Sequence, residues 1–159
     1  MNLQFRTDVT AGDVSLVGYI VRSTGNFSES EIEIAMELVQ ERLDKGPESG
    51  YHFVFAELDG RLVSYTCFGP VPATKSSFDL YWIATLKEMH GRGVGRAVQA
   101  EAERIIASMG GTHVWIETSS RDDYKLTREF YIRTGARIAA ILEDFYSIGD
   151  SKYIFVKKL

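Results

Sequence analysis

Apolar positions recur along the chain in two rhythms, one of three to four residues and one of two. Ile32, Ala35, Val39 and Leu43 fall on one helical face. Ser28-Glu29-Ser30-Glu31 is a capping box that opens this helix, and Gly46-Pro47 ends it. Tyr51 to Leu58 and Arg61 to Phe68 read as strands around Asp59-Gly60, a dipeptide suited to a two-residue hairpin turn. Phe78 to Thr85, rich in aromatic and β-forming residues, is the next strand. Val94, Val98, Ala102, Ile105 and Met109, spaced by three and four, mark an amphipathic helix running to about Met109. His113 to Thr118 reads as a strand leading out of Gly110-Gly111. Asp123 to Thr134 reads as a helix capped by Gly135, and Arg137 to Ile141 and Tyr153 to Lys157 as closing strands. Asn2 to Arg6 suits a short first strand, while residues 8–27 carry only a weak helical pattern.

The predicted order is strand, helix, three strands, helix, strand, helix, two strands. Such an order implies an α/β fold, a mixed central sheet of about six to seven strands with helices on both faces. The 159 residues suit a single domain over residues 1–159, and 45% apolar content supplies one sizeable core. No repeat, low-complexity tract or linker divides the chain.

Between the strand ending at Thr85 and the helix after it lies His90-Gly91-Arg92-Gly93-Val94-Gly95-Arg96. Glycines at alternate positions allow a tight turn and close approach of backbone to a ligand. The helix that follows offers unpaired N–H groups and the positive end of its dipole, a seat for phosphate, and Arg92 and Arg96 add positive charge. A P-loop would need Lys-Ser or Lys-Thr after the glycines, and none is present. A dinucleotide fingerprint fails in both registers, because its last glycine would fall on Arg96 or Val98.

A net charge of −4 gives no electrostatic footprint for nucleic acid and mildly favours a cationic substrate such as an amine. No apolar run approaches a membrane span, and no basic-then-apolar leader is visible. The one cysteine, Cys67, excludes an intrachain disulfide, reads as buried and structural, and suits a reducing cytoplasm. His52, His90 and His113 show no metal-ligand spacing, so no metal is expected.

The loop fits [Q/R]-x-x-G-x-[G/A], with His90 where Gln or Arg is usual and Gly93 and Gly95 following. In this, and in its order of elements, the chain resembles the GNAT superfamily of N-acetyltransferases. The resemblance implies acetyl-CoA as co-substrate, its pyrophosphate on His90, Gly91, Arg92, Gly93, Val94, Gly95 and Arg96. It also implies that backbone groups of Ile83, Ala84 and Thr85 pair with the pantetheine arm, one N–H polarising the thioester carbonyl. Phe130-Tyr131-Ile132-Arg133-Thr134-Gly135 resembles the F-Y-x-x-x-G-[FY] signature, with Ala136 in place of its last aromatic. That correspondence makes Tyr131 the general acid for the leaving thiolate; a core aromatic on an amphipathic helix is the alternative. Tyr124 stands where many relatives carry asparagine on the cofactor arm.

An alkyl amine, with a pKa near ~10.4 by analogy with lysine, must lose a proton before it attacks. Asp79 and Glu117 are the acidic candidates for that base, directly or through water, with solvated strand-edge carboxylates as the alternative. The resemblance implies a small-molecule amine or amino-acid acceptor, direct attack in a ternary complex, and allows a homodimer. Acceptor selection would fall to residues 22–31, 69–77 and 143–152. Asp144, Tyr146, Asp150 and Lys152 are expected in the loop joining the closing strands, which the resemblance makes part of the acceptor pocket, with a solvated polar hairpin as the alternative. A non-catalytic acyl-CoA sensing module is the competing reading.

Overall fold

The computed structural model describes all 159 residues, Met1–Leu159. Seven strands and four helices alternate as β1 (Leu3–Arg6), α1 (Ala11–Thr24), α2 (Glu29–Lys45), β2 (His52–Leu58), β3 (Arg61–Pro70), β4 (Ser77–Thr85), α3 (Val94–Ser108), β5 (His113–Ser119), α4 (Lys125–Arg133), β6 (Arg137–Ser147) and β7 (Asp150–Lys158). The strands form one mixed sheet in the order β1-β2-β3-β4-β5-β7-β6, the helices flanking it. The chain groups into two compact units, Met1–Gly69 with Leu80–Ile105, and Pro70–Asp79 with Ile106–Leu159.

In the first unit β1, β2 and β3 run antiparallel, with Arg6 opposite Phe55 and His52 opposite Phe68. The β2–β3 turn takes φ +52° at Asp59 and +78° at Gly60, the positive pair a two-residue type I′ hairpin requires. Phe53, Phe55, Tyr65 and Cys67 alternate inward onto Val17, Ile20, Val21, Ile32, Ala35 and Val39 of α1 and α2, all fully or nearly fully buried. Cys67 is completely enclosed, and burial pushes its thiol far above the ordinary range.

Helix α1 is the element the weak pattern of residues 8–27 concealed. Thr10 and Asp13 form a capping box at its start, and Gly25 with φ +74° ends it. Gly18 looks unfavourable within a helix, yet a Cβ there would meet Met36 Sδ of α2 at 2.6 Å. Close helix packing, rather than propensity, therefore selects that glycine. Asp13 is fully buried; Arg6 donates to both its oxygens at 2.6 and 2.9 Å and to Glu57 at 2.6 Å, tying β1, β2 and α1 together.

In the second unit β4 begins parallel to β5, Ser77 opposite His113 and Asp79 opposite Trp115. β5 and β6 each pair antiparallel with β7. Gly111 lets the chain enter β5 closely, since a Cβ there would lie 2.3 Å from Ile106 and 2.8 Å from the Phe78 ring. Ile106 is the buried residue of this turn of α3; Met109, expected on the buried face, lies past the helix end and is 44% exposed. Asp123, expected in α4, belongs to a 3-10 turn that precedes it.

The closing strands are longer than their apolar runs imply. β6 extends to Ser147 and β7 starts at Asp150, so Asp144, Tyr146, Asp150 and Lys152 lie in a long hairpin rather than a loop. β6 is the sheet's edge and nearly all of it is exposed, including Ile138, Ile141, Leu142, Phe145 and Tyr146, with Ile148 at the turn 94% exposed.

Candidate active site

The first unit holds the phosphate-loop residues. Gly91 and Gly93 have φ of +76° and +80°, left-handed values that a side chain would strain. The Gly93 carbonyl accepts from Ala97 N–H, which makes Gly93 the residue that enters α3. Helices α1 and α2 are both opened by capping boxes, whereas the residue that precedes α3, Gly93, has no side chain to cap it and the first turn carries no acid. The first N–H groups of α3 have no intrahelical acceptor and point out of the helix, with the positive dipole end behind them. Arg92 and Arg96 are exposed and paired with no carboxylate, while Arg61 of the same unit is taken by Glu88 at 2.6 Å. This stretch is built to receive an anion.

His90 acts inside the loop. Its Nε2–H donates to the Thr85 carbonyl at 2.8 Å, fastening the loop to the end of β4. Ser64 on β3 donates to the Ala84 carbonyl at 3.0 Å and shares a 2.8 Å hydrogen bond with the Thr85 hydroxyl; Thr66 donates to the Trp82 carbonyl at 2.8 Å. Strand alternation then aims the Ile83 N–H and C=O at the opposite edge of β4, away from β3. Of the three residues expected to offer backbone there, Ile83 and Thr85 are so aimed, and Ala84 is not. The Thr85 carbonyl is already occupied by His90.

The second unit holds the acid and base candidates. Tyr131 on α4 is 4% exposed and packs at 5.7 Å on Phe155 of β7. Burial, and then nearby Tyr124, push its phenol well above the ordinary value, so it carries its proton at any physiological pH. Tyr124, half-buried at the entry to α4, lies under the Arg121 guanidinium at 5.1 Å. Asp79 is half-buried and unpaired with any cation; burial, and then the Glu117 charge, raise its carboxyl above the usual range. Glu117 is exposed and bound by Lys152 at 2.9 Å.

Register places Asp79, Trp115 and Glu117 on one sheet face, because Asp79 opposes Trp115 and Glu117 lies two residues on. Tyr131 packs on the other, since its neighbour Phe155 opposes Ile116. The two carboxylates are thus brought together, and the phenol is set apart from both.

Lys152, expected in the segment that would select the acceptor, lies on β7 and is drawn to Glu117 rather than left in a loop. Its side chain is only 12% exposed and its ammonium sits 3.8 Å from the Phe145 ring centroid as well as on Glu117. The alternation Asp150, Lys152, Ile154, Val156 was the available signal, a lysine on the same strand face as two apolar residues.

These features meet a known family. Residues 17–135 match the model described as the acetyltransferase (GNAT) family. The chain belongs to that family. Over 99% of both chains it superposes on the crystal structure of a protein assigned to the GNAT family as an acetyltransferase from Desulfovibrio desulfuricans, with TM-score 0.95 and 41% identity. The PaiA N-acetyltransferase of Thermoplasma acidophilum, solved with coenzyme A, shares the fold at TM-score 0.77 and 19% identity over the whole of both chains. An uncharacterized N-acetyltransferase of Methanocaldococcus jannaschii is 29% identical over 106 residues, 67% of this chain and 65% of that relative's length. The chain thus spans just under two thirds of that relative.

Proposed function

We propose that the chain, acting as one domain, is an acetyl-CoA-dependent N-acetyltransferase that acetylates a primary amine of a small molecule or amino acid by direct attack in a ternary complex. The observation that carries this reading is the head of α3: two left-handed glycines, an uncapped helix start and two unpaired arginines. These fit a pyrophosphate, and in a GNAT-family chain the pyrophosphate is that of CoA. The Ile83 N–H would donate to the thioester carbonyl oxygen as negative charge gathers there. Tyr131, held neutral, would donate its hydrogen bond and then its proton to the departing sulfur.

Asp79 is the better base of the two candidates. Its raised pKa brings it nearer to neutral pH, whereas Glu117 is committed to Lys152. Asp79 would take the ammonium proton directly or through water, leaving a nitrogen lone pair to attack the carbonyl carbon. Collapse of that adduct would break the carbon–sulfur bond as sulfur takes the Tyr131 proton, and the second proton lost by the nitrogen as the amide forms would restore the phenol through water. Residues 1–159 contain no group of His, Cys, Asp or Glu set to hold a metal, and no helix long and apolar enough to cross a membrane. We place the enzyme in a reducing cytoplasm, since its sole thiol is unpaired, and assign β6 as the face through which two copies pair.

Release of CoA from acetyl-CoA, followed with a thiol reagent across amines, amino acids and polyamines, tests the activity. Acceptor-dependent release supports it. Tight acetyl-CoA binding with no acceptor accelerating release would favour a sensing module instead.

A further inference from the structure

One cavity in the first unit has no part in the proposed chemistry. It measures about 430 Å³ and opens where β1 ends, beyond the Arg6–Phe55 pair, so the first residues of β2 have no strand outside them. Val9, Leu43, Phe53 and Phe68 give it an apolar wall, and Arg42 and His52 face it with polar groups. It lies at the end of the sheet away from the loop. Val63 binds the Leu86 N–H at the loop end of β4, and Phe68, five residues on, is roughly 17 Å distant along the strand.

Its polar groups are incompletely used. Arg42 is half-buried and spends one N–H on the Tyr51 carbonyl at 3.0 Å, but no carboxylate lies within ion-pair reach of it. Of the surface arginines in this unit, Arg22 and Arg61 have acidic partners at 2.7 and 2.6 Å, and Arg92 and Arg96, which have none, lie at the head of α3. His52 stacks on Phe68 at 5.7 Å, and its ring nitrogens bond to no protein group. Burial, then the Arg42 charge, lower its pKa, leaving a neutral ring with one N–H to donate. A half-buried guanidinium without an anion is the costlier member of this set, because partial desolvation is uncompensated. Asp8, the acid on the lining, is exposed and remains solvated.

We propose that this cavity is a binding site for a small monocarboxylate with an apolar body. The carboxylate takes the free edge of the Arg42 guanidinium and the His52 N–H, and the body lies on Val9, Leu43, Phe53 and Phe68. The volume suits a small ligand, and apolar walls with a few convergent donors are the usual make-up of such sites. The site is separate from the loop at α3, so the proposal stands apart from the acetyltransferase reading.

Hexanoate, acetate and hexylamine, titrated into the 159-residue chain and read on the ring-proton resonances of its three histidines, test it. Hexanoate is expected to shift His52 saturably and leave His90 and His113 unmoved. Acetate should bind at least tenfold more weakly, and hexylamine should not compete. Arg42→Gln should weaken hexanoate at least tenfold. Should that variant fold poorly, Thr7→Glu, on the exposed rim, places a repelling charge at the mouth and should produce a loss of the same order. No saturable shift with hexanoate, hexylamine binding as tightly, or unchanged affinity in a folded variant would each overturn the assignment.

Discussion

Two side chains carry opposite demands on their protons. Tyr131 is enclosed, and enclosure favours the neutral phenol, which suits a group that must still hold a proton when the thiolate leaves. Tyr131→Phe should lower kcat by about 10²-fold or more while the affinity for acetyl-CoA stays nearly constant. Steady-state kinetics beside an equilibrium binding measurement separates the two, and an unchanged kcat removes Tyr131 as the acid. Asp79 must be ionised to accept a proton, so kcat/KM for the amine should fall as pH drops through its raised pKa. Because the Glu117 charge contributes to that rise, Glu117→Gln should move this acidic limb to lower pH. A limb that stays in place in Glu117→Gln, or persists in Asp79→Asn, assigns it to another group.

Elements are held by devices of unequal visibility. The Ser28 capping box and the Asp59-Gly60 turn were legible because each is a local arrangement among residues no more than three apart. Helix α1 was not, since its glycine answers to Met36, eighteen positions away, and its cap partner Asp13 answers also to Arg6. Burial alone raises the Asp13 carboxyl, but the hydrogen bonds from Arg6 and Thr10 outweigh it and hold the group below its ordinary value.

A depressed folded pKa stabilises the native state above the unfolded value of ~3.9, and that stability is lost as pH falls through the folded value. Asp13→Asn should therefore cost about 3 kcal/mol at neutral pH and flatten the acid side of the stability curve, measured by urea unfolding at several pH values. At the head of α3, Gly93→Val must adopt φ near +80°, a strain of ~1–2 kcal/mol, and obstructs backbone approach to the phosphates. A folded Gly93→Val protein should bind acetyl-CoA more weakly, and equal affinity by calorimetry would discard the cradle.

At the scale of the whole molecule, the sequence displayed the loop and the tyrosine signature but not how strands register. That Asp79 and Glu117 share a face depends on Asp79 meeting Trp115, a pairing made 36 residues apart. Periodicity within one segment cannot report it. The exposed apolar edge escaped for a related reason: β6 reads as apolar, and only the sheet order reveals that it is an edge. An edge strand with so many uncovered apolar side chains is a surface that pairs or aggregates unless covered. Light scattering over a concentration series should find a dimer, and Ile148→Lys with Leu142→Lys should yield monomers. A wild-type monomer, or a variant dimer, rules out this face.

The sealed position of Cys67 has a practical corollary for anyone assaying the protein. With its thiol enclosed and its pKa raised, the folded chain presents essentially no thiolate to an electrophile. Dye consumed in a CoA-release experiment then carries no contribution from the folded enzyme's own thiol. Added denaturant reverses the situation, and the same reagent becomes a one-site counter of opened molecules.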